Sequence, residues 1–341
     1  MLKHCVIGFS ALAFAGAALA QERSHTLKFA HWVPPTHPIH VQAVLPWTKA
    51  IEAASGGTLK WTIFPAGQLG KAEDHYDLVR DGIADASWVN PGFNAGRWPV
   101  IGAAQIPQIM ADTRGGSAAM TEWYQQYASR EMGDVKVCFV HSLFPLTFHT
   151  KKRITRPEDL KGLKIRPSSA MEAQFIRNFG GAAVPGTFPE TRDMLERGVA
   201  DGTTGVWASL IAFGIHTAVK YHIDMAWTVT PYVIPINKAK YDGFSPAQKK
   251  AIDANCNADA ARRFASPLYE FEANGLQKLQ SMGDKDRVVY KPTAEDLAAW
   301  RAGVPAVKAI WAKEVAAKGY DADVVYNDLV ERVKKQGAES R

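Results

Sequence analysis

The sequence predicts an α/β protein built as two similar lobes. Three observations carry that prediction. Strand and helix patterns alternate over residues 26–90, and the same alternation returns from residue 135. One short pattern, Gly82-Ile83-Ala84-Asp85 and Gly198-Val199-Ala200-Asp201, also stands in each half where a helix ends and a strand begins. Strands and helices alternating in this rhythm form parallel sheets with right-handed crossovers.

The elements follow in order. Leu27-Lys28-Phe29-Ala30 alternates in period two, and Val44, Trp47 and Ile51 recur at helical spacing until Gly56-Gly57 ends that helix. Leu59, Trp61 and Ile63 alternate again before Pro65-Ala66-Gly67. A helix holding Tyr76, Val79 and Arg80 stops at Gly82, ahead of a strand over 84–89. In the second half, 135–140, 146–150 and 163–166 read as strands, and 170–179 and 190–197 as helices. Ser245-Pro246 opens a helix, with Ser as its N-cap and Pro in its first turn. Its pattern predicts one long helix to about Gly283, kinked at Pro267 and lying across both lobes. Helices over 294–318 and 323–335 close the chain.

The chain has 341 residues, 47% hydrophobic and 22% charged, which suits a sizeable core and excludes a disordered, collagen-like or disulfide-dense protein. Lys and Arg number 40 against 34 Asp and Glu, a formal +6 spread along the chain. Nucleic-acid binding would normally gather those cations on one face or segment, and a small anionic ligand fits the mild excess as well. Residues 1–20 read as a cleavable secretory signal, with Lys3 and His4, an apolar stretch over 6–19, and Ala18-Leu19-Ala20 before Gln21. The apolar stretch is shorter than the ~20 residues of a membrane span. An exported chain retains Cys138 and Cys256, which either pair or remain as two buried thiols.

No G-x-S-x-G, H-E-x-x-H, Walker or G-x-G-x-x-G pattern is present. His31, His37 and His40 gather in a Pro-rich turn without a Cys or carboxylate beside them, so they read as a polar loop over a cleft. No metal and no cofactor is expected. In doubly wound lobes, ligands sit where loops leave the C-terminal ends of strands. Those loops hold Trp32 and His37, then Trp88, Asn90 and Phe93, then Arg166 with Ser168 and Ser169, and lastly Trp207. The set has one guanidinium, several aromatics and a few neutral polar groups, with no carboxylate beside a base or nucleophile. That is chemistry for recognising a small organic anion rather than for catalysis. Trp32, Trp88 and Trp207 would serve equally well as core. Arg166, ending a strand just before Pro167, would present a rigid planar fork to a carboxylate.

Longer blocks carry a resemblance. One is Asp159-Leu160-Lys161-Gly162-Leu163-Lys164-Ile165-Arg166, continuing through Gly180 and Pro185 to Phe188-Pro189-Glu190 and then Leu195-Glu196-Arg197-Gly198-Val199-Ala200-Asp201-Gly202. Another is Phe64-Pro65-Ala66-Gly67-Gln68-Leu69-Gly70, followed by Gly82-Ile83-Ala84-Asp85. In order and spacing these resemble the solute-binding subunits of tripartite ATP-independent periplasmic (TRAP) transporters, the DctP-like family, over residues 26–335. The resemblance implies a periplasmic binding protein fold, with crossing strands and a long kinked helix joining the lobes. One lobe would comprise 21–143 with about 233–265, and the other 144–232 with about 266–341. It implies that Arg166 pairs with a substrate carboxylate, that Phe188 lines the pocket and that Trp88 and Asn90 contribute from the first lobe. The protein would be a periplasmic monomer that hands its ligand to one small and one large integral-membrane subunit.

Two positions depart from the sialic-acid-type pattern: Leu146 stands where a second arginine is common, and Gly205 where an asparagine is usual. A sugar acid needs many polar partners, because each buried polar group left unpaired costs about 1–3 kcal/mol. The expected ligand is therefore a monocarboxylate with an apolar or aromatic body, such as a 2-oxo acid or an aromatic acid, with an aliphatic dicarboxylate as second choice. An exported enzyme, or a binding subunit of an ABC transporter or a sensor, are the competing classes.

Overall fold

The computed structural model describes residues 23–340, so the secretory signal expected over 1–20 lies outside the described residues. Among the described residues eleven strands appear in chain order: β1 (His25–Ala30), β2 (Leu59–Phe64), β3 (Ala86–Ser87), β4 (Val135–His141), β5 (Thr147–Thr150), β6 (Lys164–Arg166), β7 (Ala182–Ala183), β8 (Gly202–Gly205), β9 (Tyr221–Ile223), β10 (Tyr232–Asn237) and β11 (Val288–Tyr290). The helices of the first half are α1 (Leu45–Ala54), α2 (His75–Arg80), α3 (Thr113–Glu131), α4 (Ala170–Asn178), α5 (Thr191–Glu196) and α6 (Trp207–Ala212). The second half adds α7 (Lys238–Asp242), α8 (Pro246–Asp253), α9 (Ala258–Ala273), α10 (Gly275–Ser281), α11 (Ala294–Ala302), α12 (Val304–Ala317) and α13 (Ala322–Lys335).

The strands form two sheets, one per lobe, ordered β2-β1-β3-β10-β4 and β11-β9-β5-β8-β6-β7. The first lobe keeps the expected parallel core, β1 pairing in parallel with β2 and β3. The sheets are nevertheless mixed: β10 runs antiparallel to both β3 and β4, and β5 antiparallel to both β8 and β9. Both exceptions are strands entered by chain that has just crossed from the other lobe. The crossing segments, 142–146 and 224–231, are tied by Leu146 N–H to Thr228 O at 2.7 Å and Trp227 N–H to Leu146 O at 3.0 Å.

The repeated Gly-x-Ala-Asp pattern does the same job twice. Gly82 and Gly198 take φ of +74° and +71°, the left-handed conformation that ends a helix. Asp85 Oδ2 then accepts from Lys28 N at 2.7 Å, and Asp201 Oδ2 accepts from Lys164 N at 2.9 Å. In return the backbone N–H of each aspartate donates to the carbonyl of the same lysine. Each carboxylate thus pins the start of its strand to the neighbouring parallel strand and fixes how far the far end reaches toward the other lobe.

The single long helix expected after Ser245 is three helices. Ser245 caps α8 as expected, its hydroxyl accepting from Gln248 N. The chain then breaks at Asn255-Cys256-Asn257, where Asn257 Oδ1 accepts from Ala260 N and starts α9 afresh. Asparagine side chains compete with the helix for its own backbone groups, which periodicity alone does not register. Pro267 lies inside α9, and a further interruption at Asn274 separates α10. The expected helix over 294–318 is likewise divided at Gly303, where a Cβ would stand 2.5 Å from the Phe179 ring and 2.6 Å from that of Phe175. Cys138 and Cys256 form a disulfide, tying β4 to the α8–α9 break with Cα atoms 4.4 Å apart. The helix α9 packs on α3 and β4 at one end and reaches α6 of the second lobe at the other, while α13 lies against α3.

Candidate functional site

The two sheets present their loops to each other, and between them lies a cavity. Its first-lobe wall comes from the ends of β1 and β3. Trp32 stacks on Trp88 with centroids 4.7 Å apart, and Trp88 stacks on Tyr232 at 4.3 Å and 14°. The facing wall holds Phe188 and Phe213, edge to face at 5.3 Å, with Leu146 and Val206. Trp88 Nε1 donates to His141 Nε2 at 2.8 Å, which locks the ring that anchors this stack.

Arg166, at the end of β6, is the one guanidinium lining this cavity, and it is 1% exposed. Its Nε donates to Gly186 O at 3.0 Å, and Nη1 to Ser168 Oγ, Thr203 Oγ1 and Thr204 O at 3.2–3.4 Å. Nη2 takes no part in these bonds, and no carboxylate lies within ion-pairing distance of the guanidinium among the described residues. Burial lowers its pKa to about 10, so it is still a cation at neutral pH. A buried cation without a counter-charge is costly, and an anion entering the cavity removes that cost. The Phe188 ring lies 5.4 Å from the guanidinium carbon and closes one side of the site.

The lobes also touch one another here. His37 Nδ1 accepts from Ile39 N at 3.2 Å, so its proton sits on Nε2 and is donated to Ser209 Oγ of α6 at 3.3 Å. Ser209 in turn donates to Glu272 of α9, a buried carboxylate that also accepts from Ala208 N and Ser209 N at 2.7 and 3.1 Å. Burial raises the Glu272 pKa to about 7. Elsewhere along the cleft a Cβ on Gly92 would lie 2.9 Å from Ser168 O, so the lobes meet backbone to backbone. The conformation is therefore a closed one.

Of the residues picked out in the sequence, Trp32, His37, Trp88, Asn90, Arg166 and Phe188 come together around the cavity. Phe93 and Trp207 do not line it. Phe93 packs on the outer side of Trp32, centroids 5.9 Å apart, and faces a separate groove with Gly92, Ser168 and Thr187. Trp207 opens α6 with its ring against His149 and His222, so it is the later residues Ser209 and Phe213 that reach the cavity. Tyr232, Thr230 and Ser142 were not singled out from the sequence and line the cavity as well. Ser142 and Thr230 belong to the crossing segments and Tyr232 opens β10, a strand that the sequence reading did not predict. No group of three or more His, Cys, Asp or Glu among the described residues is placed to hold a metal.

Two lobes closing on one buried cation define a solute-binding protein. Residues 29–317 match the bacterial extracellular solute-binding protein family 7 (DctP), and the chain belongs to that family. It is similar to a marine metagenome TRAP solute-binding protein specific for aromatic acid ligands, solved with 3-hydroxybenzoate. The identity is 28%, covering 92% of this chain and 99% of that one, with a TM-score of 0.86. A TRAP solute-binding protein from Rhodoferax ferrireducens, solved with copurified benzoate, is 26% identical with the same coverage and a TM-score of 0.87. The 2,3-diketo-L-gulonate-binding periplasmic protein YiaO of Escherichia coli is 27% identical over 249 residues, 70% of this chain and 73% of that protein. Proteins of this kind bind small organic acids and work with membrane permease subunits.

Proposed function

We propose that this protein captures an aromatic or otherwise apolar monocarboxylate between its lobes, holding the carboxylate on Arg166. It would do so in the periplasm after removal of a signal over residues 1–20, as a monomer without metal, cofactor or chemical turnover. It would then release the acid to a TRAP permease of one small and one large subunit. The observation that carries this reading is the buried Arg166 guanidinium, without a carboxylate partner among the described residues, in a cavity whose walls are largely aromatic and aliphatic. Leu146 and Gly205, both lining the cavity, supply no charge or side-chain polar group where a sugar acid would need one. The kinship with a benzoate-bound and a 3-hydroxybenzoate-bound protein supports the same ligand class.

The sequence of events is a closure equilibrium. The anion docks on Arg166 in the open form, the lobes come together over it and water is expelled, and the charge-assisted bond strengthens as the surroundings become less polar. Titration calorimetry with benzoate tests the assignment. Wild-type protein is expected to bind, and Arg166→Met to lose binding while keeping its circular dichroism spectrum. Benzoate affinity unchanged in Arg166→Met would overturn the reading.

A further inference from the structure

We propose that the ligand bears a second oxygen, a hydroxyl or carbonyl on its apolar body, and that Ser142 and Thr230 recognise it. The inference rests on the carboxylate reading above and narrows it. Ser142 and Thr230 line the cavity with side chains 1% and 2% exposed, and neither hydroxyl has a hydrogen-bond partner among the described residues. Neighbouring buried threonines behave otherwise. Thr121 donates to Val140 O at 2.8 Å, Thr147 to Ile223 O at 2.6 Å and Thr228 to Gln105 O at 2.7 Å. The local backbone therefore offers carbonyls to hydroxyls in this region, and the two left over both belong to residues that line the cavity.

Their place in the fold adds a second argument. Ser142 directly follows β4 and Thr230 precedes β10, strands paired in register through His141 and Tyr232. Both hydroxyls thus belong to the segments that cross between lobes at the edge of the first sheet, whereas Arg166 comes from the second sheet. A simple carboxylate on an unsubstituted ring satisfies Arg166 and leaves both hydroxyls unpaired. An acid with a further oxygen links the second lobe to the crossing segments through its own body, so each added bond also favours closure. A buried hydroxyl left without a partner is costly, which makes the second oxygen a selective feature.

The test compares benzoate with its three hydroxy isomers and with benzoylformate, by calorimetry on wild type and on Ser142→Ala, Thr230→Val and the double variant. At least one oxygenated acid is expected to bind wild type about tenfold or more tighter than benzoate, the worth of one good hydrogen bond. That advantage, read as the ratio of the two acids' affinities for the same protein, should fall to near unity in the double variant. The variants remove unpaired hydroxyls, so their melting temperatures without ligand should hold or rise. Benzoate binding with no gain from any added oxygen would overturn this inference alone, as would a gain that survives both substitutions. Failure of every acid to bind wild type would overturn the carboxylate reading and this one with it.

Discussion

Arg166 and Glu172, both buried and opposite in charge, form no ion pair, because Ser168 stands between them. The Ser168 backbone N–H donates to Glu172 Oε2 at 2.9 Å while its hydroxyl accepts from Arg166 Nη1 at 3.2 Å. Glu172 also accepts from the Thr204 hydroxyl, and its Oε1 has no partner. Burial raises the Glu172 pKa, and the Arg166 charge opposes that rise. The carboxylate therefore eases the guanidinium's burial from a distance without occupying the place of a ligand.

Glu172→Gln keeps the shape and removes that distant charge. Benzoate should then bind several-fold more tightly, within the tenfold that about 1.4 kcal/mol represents, while the unliganded protein loses stability. Calorimetry and thermal denaturation on the same preparation check both halves. Weaker binding would mean that Glu172 shapes the cavity rather than its charge balance.

Closure has a steric signature at Gly92. Any Cβ there meets Ser168 O at 2.9 Å, a backbone atom of the opposite lobe that cannot swing aside. Gly92→Ala should hold the lobes slightly apart and weaken benzoate binding by about tenfold or more, with little change in the unliganded melting temperature. Small-angle scattering of the liganded variant should report a wider particle than liganded wild type; equal affinity would place the closed contact elsewhere.

Acid should destabilise the fold. Burial holds His37, His75 and His149 down to about 4, His31 and His141 to about 3 and His222 to about 2. Three of them share short contacts with another imidazole, His31 with His40 and His149 with His222, each at 2.8 Å, where only one proton fits. Unfolding frees each ring to its ordinary value near 6.5, so the unfolded chain binds more protons and stability falls as pH drops from about 6.5 toward 4. Glu272 works in the opposite direction. Its raised pKa means that its contribution is fully present below the unfolded value and is lost as pH rises to about 7. Glu131, Glu172 and Glu314 are raised by burial in the same sense, but these carboxylates are fewer than the six histidines, so the melting temperature should fall from pH 7 to pH 4.5. A flat profile would show that these rings are protonated in the folded state.

The Cys138–Cys256 bridge closes a loop of 118 residues. Constraint of the unfolded chain by a loop of that length is worth roughly 4–5 kcal/mol in the chain-entropy account. Reduction, or Cys138→Ala with Cys256→Ala, should lower the melting temperature by many degrees and leave the native circular dichroism spectrum intact at low temperature. Loss of less than about 1 kcal/mol by denaturant titration would contradict it.

What could be read from the sequence follows from which forces are local. The strands β1 and β2, the turn glycines and the position of Arg166 at a strand end depend on neighbours close in sequence, whereas the Asp85 and Asp201 brackets reach back to Lys28 and Lys164 and showed in the sequence only as a repeated pattern at two helix–strand junctions. The strand β10 was not legible, because Pro235 in its middle argues against a central strand. The ladder accommodates it through a shift in register between Ile234 and Pro235. Nor was α3, whose Gly115-Gly116 reads as a helix breaker. Those glycines answer to packing, since a Cβ on Gly116 would lie 2.6 Å from Met110 Sδ and one on Gly115 3.0 Å from Gln336 O. At the site, aromatic content after β8 pointed to Trp207, but the first turn of α6 carries that ring away toward His149 and brings Phe213 in its place.

The strand β10 lies between β3 and β4, although about ninety residues of the other lobe separate it from β4. A chain that emerges from its N-terminus therefore leaves the first lobe's sheet in two open pieces until residues 232–237 arrive. The central strands of the second sheet, β5 to β9, are contiguous over 147–223 and are all present before that point. The later lobe can thus assemble ahead of the earlier one, and until it does, the bare edges of β3 and β4 are where a chaperone would find its client.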